Sequence, residues 1–299
     1  MNRITAIQNA VLTAAELDQR GIGRSALDIR VKNGQVIKIR RSAYAPRLWW
    51  DSLKPSEGYL AEITAYSKTA KITPVFSHDS AVAFHGLVNI RVAQQVNIIG
   101  TSKSPSKALN VIRHYRQKIA SVDANGLQLT PILETVVDCA RIWPFRESVT
   151  LADSALYTGT DQDALAHALT SVQGAGAARA RAVSVAMSKH SESAGESITR
   201  LLLKESGLPT PSEQVTLTVM GRNYRPVFLW WDFMVILEFD GNIKYGQIFG
   251  EREEIFRAQN EREERLRAQG FTVVRTDWDE VMNHPYRLIV KLKKAFGQR

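Results

Sequence analysis

Apolar and polar residues alternate with different periods along the chain, and the periods predict its elements. Ile4 to Val11 reads as a short helix, and Thr13-Ala14-Ala15-Glu16 is a capping box that starts a second one, ending near Arg20-Gly21. A third helix is expected from Arg24 to Asn33, with Leu27 and Val31 on one buried face and Gly34 closing it. From Gln35 to Ala45, Ile37 and Ile39 alternate with Lys38 and Arg40, the period of a two-stranded wing. Helix, tight turn, helix and wing describe a winged helix-turn-helix over residues 1–50.

Residues 51–190 carry mostly helical periods. Ser77 to Gly86, Leu133 to Ile142, Ser148 to Tyr157, Gln162 to Ser171 and Ala177 to Lys189 read as helices, and Gln95 to Ile99 as a strand. Residues 191–299 alternate between types. An amphipathic helix from Glu196 to Ser206 precedes a strand at Val215 to Val219. Two apolar runs follow, Phe228 to Trp231 and Val235 to Phe239, rich in aromatic and branched residues as buried strands are. A charged helix to Ala268, a strand from Phe271 to Arg275 and a last helix from Tyr286 to Phe296 complete a mixed sheet covered by helices. The expected class is α+β: winged helix, helical middle domain, and C-terminal mixed sheet.

Composition changes this picture in one respect. The 299 residues are 44% hydrophobic and 23% charged, ordinary for a soluble protein, but the net charge is +9. The excess gathers at the N-terminus, where Arg20 to Arg47 holds eight basic residues against Asp28 alone. A basic patch of this kind suggests a polyanionic partner. Cys139 is the lone cysteine, which excludes a disulfide framework, and it sits in an apolar helical pattern. Neither a secretory signal nor a membrane span is evident, so a cytoplasmic location without membrane association is expected.

The third helix is expected to expose Arg24, Ser25, Asp28, Arg30 and Lys32, side chains that reach base edges and phosphates in a major groove. Lys38, Arg40 and Arg41 on the wing suit the phosphate backbone of double-stranded DNA. The alternative is a protein-docking element. The stretch from Arg24 to Pro46 resembles the winged helix of bacterial AbiEi-type antitoxins, through Arg24, Ser25, Leu27, Gly34, Lys38 to Arg41 and Tyr44-Ala45. Ser42 stands where that family often has Gly. The resemblance implies a DNA-binding antitoxin with a toxin partner. Winged-helix regulators often pair on two half-sites, so a homodimer is also expected.

In the C-terminal part, Glu238 and Asp240 of Glu238-Phe239-Asp240-Gly241 share one strand face. Two like charges so placed repel unless a cation lies between them, and Mg²⁺ takes oxygen ligands of this kind. Lys244 follows within reach. This region resembles the very-short-patch-repair (Vsr-like) branch of restriction-endonuclease-like nucleases. The matching residues are Glu196, Glu238 to Gly241, Lys244-Tyr245, Arg262-Glu263, Leu266 to Ala268, Gly270 and Val273 to Arg275. The resemblance implies a Mg²⁺- or Mn²⁺-dependent DNA endonuclease, with Glu196, Glu238 and Asp240 on the metal and Lys244 stabilising charge on the phosphate. One departure stands against activity: Val227 occupies the place where the family carries a ligating Asp. Simpler roles are open for the same residues: Glu196 as the capping acid of Ser193, Asp240-Gly241 as a turn, Lys244 as a partner of Asp240. Two functions therefore compete, a DNA-binding regulator with a weakened nuclease fold and an active endonuclease guided by the winged helix.

Overall fold

The structure, a computed structural model, describes residues 3–91, 93–104, 106, 108–241 and 260–297. The protein is α+β, and its chain forms two compact units, Met1–Val185 and Ala186–Arg299. No helix among the described residues is long and apolar enough to cross a membrane.

The first unit opens with α1 (Arg3–Ala10), β1 (Leu12–Thr13), α2 (Ala14–Gln19), α3 (Arg24–Lys32), β2 (Val36–Arg40) and β3 (Ala43–Pro46). Thr13 Oγ1 accepts from the Glu16 N–H while Glu16 accepts from the Thr13 N–H, closing the capping box on α2. Such a cap is worth about 1 kcal/mol. Gly34, at φ 69°, ends α3 in the left-handed region that glycine favours, so the chain reverses into β2. β3 lies between β1 and β2, both antiparallel to it, and the predicted strand pair from Gln35 to Ala45 is formed.

Two helices follow, α4 (Arg47–Asp51) and α5 (Pro55–Thr69). Ala61 and Ala65 of α5, four apart, pack with Ile7, Val11 and Ala43 of the winged helix. Tyr59 and Ile63, also four apart, pack with Phe76, Phe84, Ile98 and Leu129. Fixing contacts add to this: Arg3 Nε meets Glu57 at 2.7 Å and Lys68 Nζ meets Glu16 at 3.0 Å.

The rest of the unit is β4 (Val75–Phe76), α6 (His78–His85), β5 (Val96–Gly100), β6 (Val111–Tyr115), β7 (Val122–Ala124), β8 (Leu127–Leu129), α7 (Ile132–Ile142), α8 (Phe145–Tyr157), α9 (Gln162–Ser171) and α10 (Ala177–Ala186). The middle segment is thus not simply helical. It holds a five-stranded sheet in the order β6-β5-β4-β8-β7. β4 has two residues and β7 and β8 three each, too short to show a period. β6 is an edge strand on which only Val111 is buried, so its sequence carries little apolar signal.

The second unit comprises α11 (Ala194–Glu205), β9 (Ser212–Glu213), β10 (Leu217–Val219), β11 (Arg222–Tyr224), β12 (Phe228–Trp230), β13 (Val235–Asp240), a helix over residues 260–268 (α12), β14 (Thr272–Asp277), α13 (Trp278–Asn283) and α14 (Pro285–Gly297). Its sheet runs β14-β13-β12-β9, with β13 and β14 parallel and the other pairs antiparallel. β13 begins as an unbroken apolar run because both its faces are covered. Ile236 packs with Leu266 of α12 and with Leu217 and Val219 of the β10–β11 hairpin. On the other face, the ring of Phe239 lies where a side chain at Gly195 of α11 would stand.

Candidate functional site

The winged helix presents its cations to solvent. Leu27 is buried against the unit, which turns Arg24, Ser25, Asp28, Arg30 and Lys32 of α3 outward, and all five are exposed. Ile29 on the same helix is 58% exposed. Lys38 and Arg41 of the wing are exposed too. Among the described residues none of Arg24, Arg30, Lys32, Lys38 and Arg41 enters an ion pair. Arg40 differs from its neighbours. It is half-buried, its guanidinium lies 4.6 Å from the centre of the Tyr66 ring, and burial pushes its pKa down. Its charge is spent on α5 rather than held out for a phosphate.

The acidic residues of the second unit are held by basic ones. Alternation along β13 sends Ile236, Glu238 and Asp240 to the face covered by α12, as predicted. Arg262 of α12 donates to Glu238 Oε1 at 2.6 Å. The Glu238 side chain is only 15% exposed, and burial raises its pKa while Arg262 and the Val227 backbone N–H hold it down. Arg275, opposite Glu238 in the parallel register, reaches Asp240 with Nη1 at 2.8 and 3.1 Å and Glu263 with Nε at 3.2 Å.

Glu196 is engaged elsewhere. Its carboxylate accepts from the Glu192 N–H at 2.9 Å, from the Ser193 hydroxyl at 2.9 Å and from Gln214 Nε2 at 3.0 Å. Ser193 in turn accepts from the Glu196 N–H as the N-cap of α11, but Glu196 bonds the Glu192 N–H rather than that of Ser193, so the reciprocal half of a capping box is not made. Among the described residues Glu196, Glu238 and Asp240 are not gathered into a group of three that could hold a metal ion. Lys244 and Tyr245 lie outside the described residues.

A third group was not singled out from the sequence. His78 and His114 stack at 3.7 Å with their rings 19° apart, beside a cavity of about 320 Å³ that they line with Arg116, Asp138 and Arg141. His78 is the first residue of α6 and has φ 47°, a left-handed conformation that costs a non-glycine residue energy. Ser77 precedes it as N-cap without a side-chain capping bond. Its hydroxyl pairs instead with His78 Nδ1 at 3.0 Å. Arg116 bonds both Glu134 and Asp138. Burial pushes the Asp138 carboxyl up to about 6 against the pull of Arg116, and its Oδ2 is buried without a hydrogen-bond partner. His85, at the other end of α6, has a packing role, with Nε2 2.8 Å from the Thr130 carbonyl. The partners of His78 come from β6 and α7, on no period that a sequence displays.

No family model matches the chain, and no curated protein does. Among solved structures it is similar to the RV2827C protein from Mycobacterium tuberculosis, with 16% identity and a TM-score of 0.39 over 61% of this chain and 74% of that one.

Proposed function

We propose that the protein is a DNA-binding regulator of the antitoxin-like kind, and that its C-terminal unit is a nuclease-like fold whose carboxylates serve internal ion pairs. In this reading α3 enters the major groove of double-stranded DNA with Arg24, Ser25, Arg30 and Lys32, and Lys38 and Arg41 of the wing rest on phosphates. The supporting observation is that five exposed cations on α3 and the wing, with Asp28 the one acid of α3 among them, enter no ion pair among the described residues. Such groups gain most from releasing the counterions of a nucleic-acid backbone. The test is duplex binding by fluorescence anisotropy across a salt series. Affinity should fall steeply with salt, and no affinity at low salt would end the proposal.

The second reading, a Mg²⁺-dependent endonuclease, is favoured by the shared face of Glu238 and Asp240. Their oxygens are those a cation would use, and here Arg262 and Arg275 use them. A plasmid-nicking assay with Mg²⁺ or Mn²⁺ separates the two. We expect no nicking from the natural chain, nor from Val227→Asp alone, because the arginines remain. Nicking that Glu238→Ala abolishes would establish the enzyme instead. The toxin partner and the homodimer rest on the N-terminal resemblance and the two-half-site expectation. Light scattering of the free protein, and co-purification with a toxin after nuclease treatment, address them.

A further inference from the structure

The cavity lined by His78, His114, Arg116, Asp138 and Arg141 has no part in the proposed DNA contact. Its hydrogen-bonding inventory can be worked out atom by atom. Asn97 donates its amide to the Gln95 carbonyl at 2.9 Å, which turns Oδ1 toward His114 Nε2 at 2.8 Å. His114 Nε2 therefore carries a proton, and in the neutral ring Nδ1 is left as an acceptor. Burial lowers the pKa of both His78 and His114, so both rings are neutral at pH 7.

Arg141 donates Nε to the Ala175 carbonyl at 2.9 Å and Nη2 to the Gln173 carbonyl at 3.4 Å. Among the described residues its Nη1 makes no hydrogen bond and its charge enters no ion pair. Arg116 commits both terminal nitrogens to Glu134 and Asp138, leaving Nε. The walls thus combine guanidinium donors, one unpaired positive charge and a ring-nitrogen acceptor, with strained backbone at His78 and an orphaned Asp138 oxygen alongside. Buried polar groups left so in a native protein call for an explanation.

While Asp138 stays paired with Arg116 through Oδ1, a phosphate monoester answers the guanidinium donors and the ring-nitrogen acceptor of this set. Its oxygens accept from guanidinium N–H groups in charge-assisted bonds. Its ionisable hydroxyl, with a second pKa near 6, can share a proton with His114 Nδ1. A cavity of about 320 Å³ is at the lower end of small-ligand sites and larger than a bare anion needs. We propose that this cavity binds a small phosphate monoester of mononucleotide size, its phosphate held by Arg141 and Arg116 beside the stacked His78 and His114.

The experiment is calorimetric titration of the full chain with adenosine 5′-monophosphate and with adenosine, alongside NMR of the histidine side chains. The phosphorylated probe should bind at least about tenfold tighter than the nucleoside, and Arg141→Gln should remove about tenfold of its affinity. The His78 and His114 ring signals should shift on saturation with the phosphorylated probe. Equal binding of the two probes, unmoved histidine signals, or no binding at millimolar concentration would each overturn the proposal. If Arg141→Gln does not fold, as judged by its thermal melt, the probe comparison and the histidine signals of the natural chain still decide.

Discussion

On α3 and the wing, Arg24, Arg30, Lys32, Lys38 and Arg41 stand in solvent and enter no ion pair among the described residues, with Asp28 the one acid on α3. At the end of β13, Glu238 and Asp240 each rest on an arginine, and a third acid, Glu263, shares Arg275. The difference lies in what the charge is for. Exposed cations left unpaired cost little in water and keep their attraction for an outside partner. Acids taken into a packed strand end need a counter-charge at once, and the fold supplies it from α12 and β14. The first region should be tolerant in stability and sensitive in binding, and the second the reverse.

The sharpest way to break this comparison is Gly195→Ala. A Cβ there would fall 2.0 Å from Phe239 Cζ, so the ring must turn out of its packing or α11 and β13 must part. A loss of about 3 kcal/mol in urea unfolding is expected. A variant of natural stability would mean that the strand end is loosely packed. Next is Arg262→Ala, which leaves Glu238 buried with its main counter-ion gone. Because Arg262 is itself partly exposed, the expected loss is about 2 kcal/mol rather than the full cost of breaking a buried pair. Duplex binding should not change.

On the other side, the double change Arg24→Ala with Lys32→Ala should weaken duplex affinity by about tenfold at low salt. It should also flatten the logarithmic salt dependence, with stability held within about 0.5 kcal/mol. If binding survives intact, α3 is not the contact. The smallest effect separates two neighbours on the wing. Arg40→Ala should cost about 0.5–1 kcal/mol of stability through the lost Tyr66 contact and leave the salt dependence unchanged, whereas Lys38→Ala should alter only the salt dependence.

What could be read in advance follows the range of the interactions involved. The winged helix is written in local signals: the Thr13–Glu16 box, glycine at 34, and alternation from 35 to 45. Glu196 was legible in two ways, as a capping acid and as a ligand, and its carboxylate instead accepts from the Glu192 N–H, the Ser193 hydroxyl and Gln214. The shared face of Glu238 and Asp240 follows from strand geometry, but their partners do not. Arg262 is 24 residues from Glu238 and Arg275 is 35 from Asp240, and only tertiary packing sets those pairs. The central sheet of the first unit escaped notice for a related reason. β4 pairs with β5 on one side and with β8 on the other, so its two residues are strand only by virtue of distant neighbours.

One helix decides where this protein can be cut. Ala61 and Ala65 of α5 close the hydrophobic interior of the winged helix, while Tyr59 and Ile63 belong to the sheet beyond it. A fragment ending at residue 50 would leave Ile7, Val11 and Ala43 facing water. A fragment beginning there would carry a bare alanine stripe. Any minimal N-terminal piece has to run through Thr69, and it would then bear Tyr59 and Ile63 as an uncovered scar.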